Sequence, residues 1–533
     1  MSVLRGEHTP RAPRARLLPT AAPYNPFVRT SLLVVCVLAG ACLDAVAQPA
    51  GLRTRIDGYV AEHQGAIVGE LVQLLAVPNV AADTANIRRN ATLLAEMLAK
   101  RGLASEILET DGNPLVYAAR NVPGASRTLL FYAHYDGQPT NPAAWKQATP
   151  WTPTLRTGRL ENGGSDRETP ANGRFDPDWR IYARSASDDK SPIVALCAAL
   201  DALAASGIAV TSNIRVILDG EEEAGSPSLV PASARDRDKL TADAMFILDG
   251  PVHPSEKPTL VFGARGIATM ALTVYGPKMA LHSGHYGNWA PNPAMRLAQL
   301  LASFKDDQGR VLVEGFYDGI TPLAPDEQAM LDAVPDSEPD LMKFFGLAGR
   351  ESAGRSLQAG LQVPTFNVRG MSSGFVGANA RTIVPESATA EIDIRLVKET
   401  PSVAMVAKVR AHLEKQGYAV VASDPDDAMR AKHQKLVKMV VHASGSEAYR
   451  TSPLLPISVR ASEALTAVFG EPPVRVRTTG GTVPIAPFID ALSLPAISVP
   501  IVNFDNNQHG ENENLRLGHF FRGITTIATL LTM

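Results

Sequence analysis

Five short stretches of this 533-residue chain each offer a carboxylate or an imidazole at the end of an apolar, strand-like run or in a loop nearby. They are His134 with Asp136, Asp188 with Asp189, Glu222 with Glu223, Asp249, and His509, spread over about 375 residues. In an α/β protein, strand ends are where the chain delivers ligands and catalytic groups. The layout therefore constrains the fold and points to metal-dependent hydrolytic chemistry.

The periodicities agree with that architecture. Ile67, Leu71, Leu74 and Leu75 recur on one helical face, and residues 87–103 predict a second helix after a break at 76–80. Residues 115–119 and 128–133 read as strands, the second running into His134. Residues 137–177 are loop-like, and a segment that long without periodicity is commonly functional or a surface insertion. A helix from Pro192 to Ala205, a strand over 213–218 and another over 244–248 follow. Strands alternating with helices imply a largely parallel sheet with helices on both faces. Near Phe262 the character changes. Alternating strands at 267–275 and 388–397, helices at 292–304 and 402–416, and a strand at 418–422 suggest an inserted α+β unit of two layers, with the polar stretch 423–452 as its exit. From Pro456 the α/β pattern resumes, with a helix over 457–469 and a strand over 496–500 ahead of His509.

Length favours two or more domains. A formal net charge of -3 argues against a nucleic-acid partner, which would require a strongly basic face. The N-terminus reads as a targeting segment. Residues 1–30 hold five Arg and one acid, residues 31–43 are mainly apolar, and Ala45-Val46-Ala47 is a small-x-small cleavage site. The expectation is a signal peptide over residues 1–47 and a periplasmic or secreted product, with no membrane span after cleavage. An uncleaved anchor or a lipoprotein is the alternative, although an apolar run of about a dozen residues is short for a span of ~20. Of three cysteines only Cys197 remains after cleavage, so no internal disulfide can form.

Each motif has a bland reading beside the chemical one. In His134-Tyr135-Asp136 the carboxylate can accept the ring's second N–H, as carboxylates behind zinc-bound histidines do, or the pair can be an ordinary turn. Asp188-Asp189 can cap the following helix, or one Asp can bridge two cations while the other orients a ligand. In Asp219-Gly220-Glu221-Glu222-Glu223, four acids in five positions repel unless cations neutralise them. Successive glutamates there can act as ligand and as general base. Asp249 and His509 alone would pass for a turn residue and an exposed loop residue. Together the set supplies the nitrogen and oxygen donors that zinc accepts.

The chain resembles the M-twenty metallopeptidases, and within them most the carnosinase-like dipeptidases. The likeness runs over roughly residues 55–530, in the motifs HYDGQP, SDDKSP, EEEAGS, LHSGHYG, NARTIVP, IRLV, TTGGTVP and HGENENL. It implies a di-zinc phosphorylase/hydrolase-like catalytic domain over 52–263 and 446–533, and a lid and dimerisation domain over 264–445. It implies two Zn2+ per subunit, with Mn2+ or Co2+ as substitutes, held by His134, Asp188, Glu223, Asp249 and His509. Asp188 would bridge, His134 and Asp249 would share one metal, and Glu223 and His509 the other. Glu222 would be general base and acid, Asp136 would orient His134, and the Asp188–Asp189 peptide would be cis. His282 would help hold the oxyanion, in this family often from the partner subunit. Arg395 and Thr382 would grip a substrate carboxylate, and Gly481 and Thr482 would line the site. The function implied is an exported exopeptidase acting on dipeptides or C-terminal peptide bonds through zinc-activated water, as a homodimer. N-acyl amino acid hydrolysis is the enzymatic alternative, and a non-catalytic metal or peptide binder the other. The chain departs from the family pattern at Ala183 and Ser185, where glycines are usual, at Ser191, and in longer segments at 157–178 and 423–452.

Overall fold

The computed structural model describes residues 51–533 except 352 and 444. The expected signal segment 1–47 lies outside the described residues. Among the described residues no helix is long and apolar enough to cross a membrane.

The larger sheet has eight strands. From edge to edge they are Ala104–Leu108, Leu115–Arg120, Asn213–Asp219, Thr128–His134, Ala244–Ile247, Ala496–Ser498, Thr259–Val261 and Val474–Val476. The four strands in the middle, from Asn213–Asp219 to Ala496–Ser498, run parallel, so their C-terminal ends share one edge. The pairings on one flank and the Ser498–Val261 junction are antiparallel. Strand Thr128–His134 shows why both faces must be covered. Leu129, Phe131 and Ala133 enter one buried cluster with the helices Leu52–Leu75, Lys190–Ala205 and Leu517–Leu531. Leu130 and Tyr132 enter another with Leu229–Arg235 and Ala486–Leu492. Two-sided burial requires a continuous apolar run rather than alternation. Each fully buried large apolar side chain there contributes about 1.5–3 kcal/mol.

Helix Lys190–Ala205 is buried nearly all round. Its first residue, Lys190, donates from Nζ to the carbonyls of Leu74 (2.9 Å) and Val77 (2.8 Å), at and just past the end of helix Leu52–Leu75. These two bonds tie the start of Lys190–Ala205, directly after the double aspartate, to the end of the first helix. Cys197 on the same helix is a buried free thiol, and burial raises it to about 12.

The second sheet has five strands in the order Thr365–Ser373, Ser387–Leu396, Gly266–Tyr275, Leu436–Val441 and Ala419–Val421. All pairings are antiparallel but the last. Ala388, Ala390, Ile392, Ile394 and Leu396 point to one face, where they meet helices Pro293–Ala302 and Ser402–Lys415. This is the two-layer α+β arrangement expected.

Three expectations need correction. The stretch 423–452 is more than an exit, because its residues 436–441 form a strand inside the second sheet. The loop-like segment 137–177 contains strand Thr154–Arg156, which pairs with Arg180–Tyr182, itself paired with Asn514–Arg516. The strands Ala104–Leu108 and Thr365–Ser373 were not legible as strands. Both are edge strands with polar, exposed positions, and the second carries a bulge between Val368 and Gly370.

Candidate metal centre

The C-terminal edge of the four parallel strands gathers the acidic and imidazole residues. His134 ends its own strand, and Asp249 lies two residues beyond Ala244–Ile247. Glu222 and Glu223 lie in a short 3-10 turn after Asn213–Asp219, and His509 lies in the loop after Ala496–Ser498. Asp188 sits just before helix Lys190–Ala205, and the Asp188–Asp189 peptide is cis.

Asp188 stands between two imidazoles. Its Oδ1 is 2.9 Å from His134 Nε2 and its Oδ2 is 3.1 Å from His509 Nε2. His134, Asp188 and Asp249 offer ligand atoms within 4.8 Å of one another, and so do Asp188, Glu223 and His509. Two triads therefore share one carboxylate, in the grouping the resemblance implies. His134 Nδ1 faces Asp136 Oδ1 at 3.3 Å, which leaves Nε2 for the centre. Asp136 also accepts the backbone N–H of Glu222 and of Glu223, each at 3.0 Å. One buried carboxylate thus orients a histidine and the acidic turn together. Asp189 Oδ2 accepts the backbone N–H of His134 at 3.2 Å, the orienting role expected of the second aspartate.

The acidic turn sorts its carboxylates by their contacts. Glu221 accepts the backbone N–H groups of Ser228 and Asn113 and is held away as a brace. Asp219 accepts from Ser226 Oγ at 2.6 Å and from Tyr132 Oη at 3.3 Å. Glu222 and Glu223 face the centre, with Glu222 Oε2 4.0 Å from His134 Nε2 and Glu223 Oε2 3.6 Å from His509 Nε2. Gly220 lets the turn pass against Tyr135, since a Cβ there would lie 2.5 Å from the phenolic oxygen.

The electrostatics suit a cation pair. Burial pushes Glu222 well above the usual carboxylate range. Burial and the Asp188 charge push Glu223 up to about 7 and Asp249 up to about 6. His134 is raised although burial opposes its charge, because Glu222, Asp136 and Asp188 surround it. The Asp188 hydrogen bond raises His509 to about 9. Asp188 itself lies below its usual range, since its contacts with the two histidines outweigh burial. Crowded carboxylates that resist ionising together are a donor set short of positive charge. The mixture of imidazole nitrogen and carboxylate oxygen fits zinc.

A cavity of about 810 Å³ opens onto Asp188, Glu222, Glu223, Asp249 and His509, a size suited to a small ligand. Arg395, Gly481 and Thr482 line it as well, and Arg395 Nη1 donates to Thr482 Oγ1 at 2.7 Å. His282 and Thr382 do not line it. They lie exposed beside one another on a two-stranded ribbon, Leu281–His282 with Ile383–Val384, where Ser283 N donates to Thr382 O. Two residues at the centre escaped the sequence reading. Gln138 donates to Glu223 Oε2 at 2.5 Å, and Glu513 is buried under the Asp188 turn. Both lie inside quoted motifs, HYDGQP and HGENENL, which was the available signal.

The comparisons with known proteins agree. The sequence profile described as Peptidase family M20/M25/M40 matches residues 130–533. The Cys-Gly metallodipeptidase dug1 of Schizosaccharomyces pombe is 26% identical over 483 residues, covering 87% of this chain and 94% of the relative. The Beta-Ala-His dipeptidase of Mus musculus is 24% identical over 498 residues, covering 89% and 94%. Among solved structures, the metallo-carboxypeptidase Sso-CP2 of Sulfolobus solfataricus superposes with a TM-score of 0.69 at 27% identity, over 87% of this chain and 98% of that one. Human carnosine dipeptidase 1 shares the fold, with a TM-score of 0.68 at 22% identity over 91% and 99%. The chain belongs to peptidase family M20/M25/M40 and is a metal-dependent hydrolase of peptide bonds.

Proposed function

We propose that this protein is a di-zinc dipeptidase whose centre holds one metal between His134, Asp188 and Asp249 and a second between Asp188, Glu223 and His509. Manganese or cobalt can substitute. The observation that carries the reading is Asp188, whose two oxygens address two different histidines at 2.9 and 3.1 Å. The dipeptidase names of its relatives support the substrate class.

Two divalent cations at this place supply Lewis acidity, polarising an amide carbonyl and acidifying a water. The chain's own groups do the rest. Glu222 takes the water's proton and passes it to the leaving nitrogen, a task suited to a buried carboxylate held above its usual range beside the centre. Asp136 keeps His134 turned with Nε2 inward. Arg395 binds the substrate's terminal carboxylate with its planar fork, and Thr482 and the open backbone at Gly481 shape the wall beside it. The protein acts as a homodimer, with residues 264–445 as lid and dimerisation domain. His282 of each lid supports the oxyanion in the partner's site, and Thr382 lies beside it to hold the substrate carboxylate. The exposed position of both residues outside their own cavity supports that reading. The basic and apolar leader supports export, and hence peptide turnover in the periplasm or medium.

The test is turnover of Cys-Gly and β-Ala-His against N-acetyl amino acids by purified protein, before and after chelation and with zinc or manganese restored. Dipeptide hydrolysis lost on chelation and recovered with metal is expected. Full activity in excess chelator sinks the proposal, and preference for N-acetyl amino acids replaces it with an amidohydrolase.

A further inference from the structure

We propose that Glu513 is a positioning residue that locks the Asp188 turn to the His509 loop and thereby sets how tightly the centre holds its cations. The inference rests on the metal reading above.

Glu513 follows His509 by four residues and is fully buried. Its Oε1 accepts from the backbone N–H of Ser187, the hydroxyl of Ser187 and the backbone N–H of Asp188, each at 2.9 Å. Its Oε2 accepts from the backbone N–H of Ser185 at 2.9 Å and from Arg184 Nη1 at 2.7 Å. All five donors come from residues 184–188, the segment that ends in the shared aspartate. The two segments are stitched again through the backbone. Ala183 N donates to Glu513 O at 3.2 Å, and Arg184 Nη2 donates to Gly510 O at 3.1 Å.

A carboxylate offers acceptors only, about four lone-pair sites, and here donors meet both oxygens. No neutral residue can repeat this. A glutamine would turn an NH2 toward either the Ser187 and Asp188 donors or the Ser185 and Arg184 donors, leaving buried N–H groups unsatisfied. The turn needs outside support because Ser185 holds a φ of 61°, a left-handed conformation that residues other than glycine seldom adopt. The Ser185 hydroxyl accepts from Asn79 Nδ2 at 2.8 Å, a further tie on the same turn. The turn in turn aims Asp188, whose oxygens divide between the histidines. A residue that grips both the aspartate's own N–H and the loop bearing His509 constrains both triads without touching a metal.

Zinc affinity, measured by competition with a chromophoric chelator, tests this on full-length wild type, Glu513→Gln, Ser187→Ala and Glu70→Gln. The last breaks the Glu70–Arg101 ion pair in the helical layer and reports generic loss of a half-buried pair. Glu513→Gln is expected to bind zinc about 10- to 100-fold more weakly and to change the visible absorption of the cobalt-loaded protein. Its KM for dipeptide at saturating metal stays that of wild type. Ser187→Ala, which removes one of the five donors, is expected to weaken binding about 2- to 10-fold, and it carries the test if Glu513→Gln does not fold. Glu70→Gln is expected to lose stability at unchanged zinc affinity. Wild-type affinity and cobalt spectrum in the Glu513 and Ser187 variants would overturn the inference, as would equal weakening in Glu70→Gln. A wild type that binds no zinc would overturn the parent reading as well, so the two failures are distinguishable.

Discussion

The edge of the larger sheet and the ribbon on the smaller unit treat their functional residues in opposite ways. At the sheet edge, His134, Asp188, Glu222 and Glu223 are buried or nearly so, braced by Asp136, Asp189 and Glu513, and drawn within contact of each other. At the ribbon, His282 and Thr382 face solvent, His282 held by the Gly284 N–H and the neighbouring His285 ring. Arg395, on a strand of the same unit, does reach the cavity. One chain therefore brings its acidic and imidazole groups together at the sheet edge and leaves His282 and Thr382 outside the cavity onto which those groups open. All of the gathered groups but His509, whose side chain is 56% exposed in its loop, are placed where packing over-determines them. Groups that must admit and release a ligand are placed where little does.

The sharpest way to break this contrast is at its rigid side. Glu222→Gln is expected to lower kcat about 10²- to 10⁴-fold with metal content unchanged, read by steady-state kinetics beside elemental analysis. A kcat within a few-fold of wild type would remove Glu222 from proton transfer. On the exposed side, His282→Ala is expected to cost about 10²-fold or more in kcat, as loss of an oxyanion donor does. Mixing unfolded-and-refolded His282→Ala with Glu222→Gln should then restore activity toward about a quarter of wild type, because in a two-fold dimer each mixed pair holds one intact site. Absence of any recovery would place His282 in its own chain's site or outside the reaction. Arg395→Met is expected to raise KM for free dipeptides about 10- to 100-fold, the loss of a charge-assisted hydrogen bond, and to leave amide-capped dipeptides nearly unaffected. Equal effects on both substrates would deny the carboxylate contact. The smallest effect is structural: Gly220→Ala forces a methyl against Tyr135 and is expected to destabilise by about 1–3 kcal/mol, seen as a lower melting temperature.

The same contrast explains what could be read from the sequence. His134, the Glu222–Glu223 pair and Asp249 were legible because each stands at or just past the end of an apolar strand, while Asp188 before a helix and His509 in a loop were legible only as part of the set. The smaller unit's core was legible from the alternation in residues 267–275 and 388–397. The strands Ala104–Leu108 and Thr365–Ser373 were hidden because edge positions face water and carry no apolar period. Leu436–Val441 was hidden inside a stretch read as polar, although five of its six residues are apolar. Glu513 and Gln138 were hidden for another reason. Their work is done through hydrogen bonds to residues more than 80 positions away, and no local pattern encodes such a partner.

The bond from Arg395 to Thr482 has a consequence for the energetics of catalysis. In the free protein the guanidinium already satisfies one of its donors on a neutral hydroxyl. A carboxylate arriving at Arg395, as proposed above, would trade that partner for a charged one, so the net gain would be the difference between two acceptors and not the full strength of an ion pair. Departure of the product reverses the trade without stranding a cation. Such an exchange would favour moderate affinity and quick release.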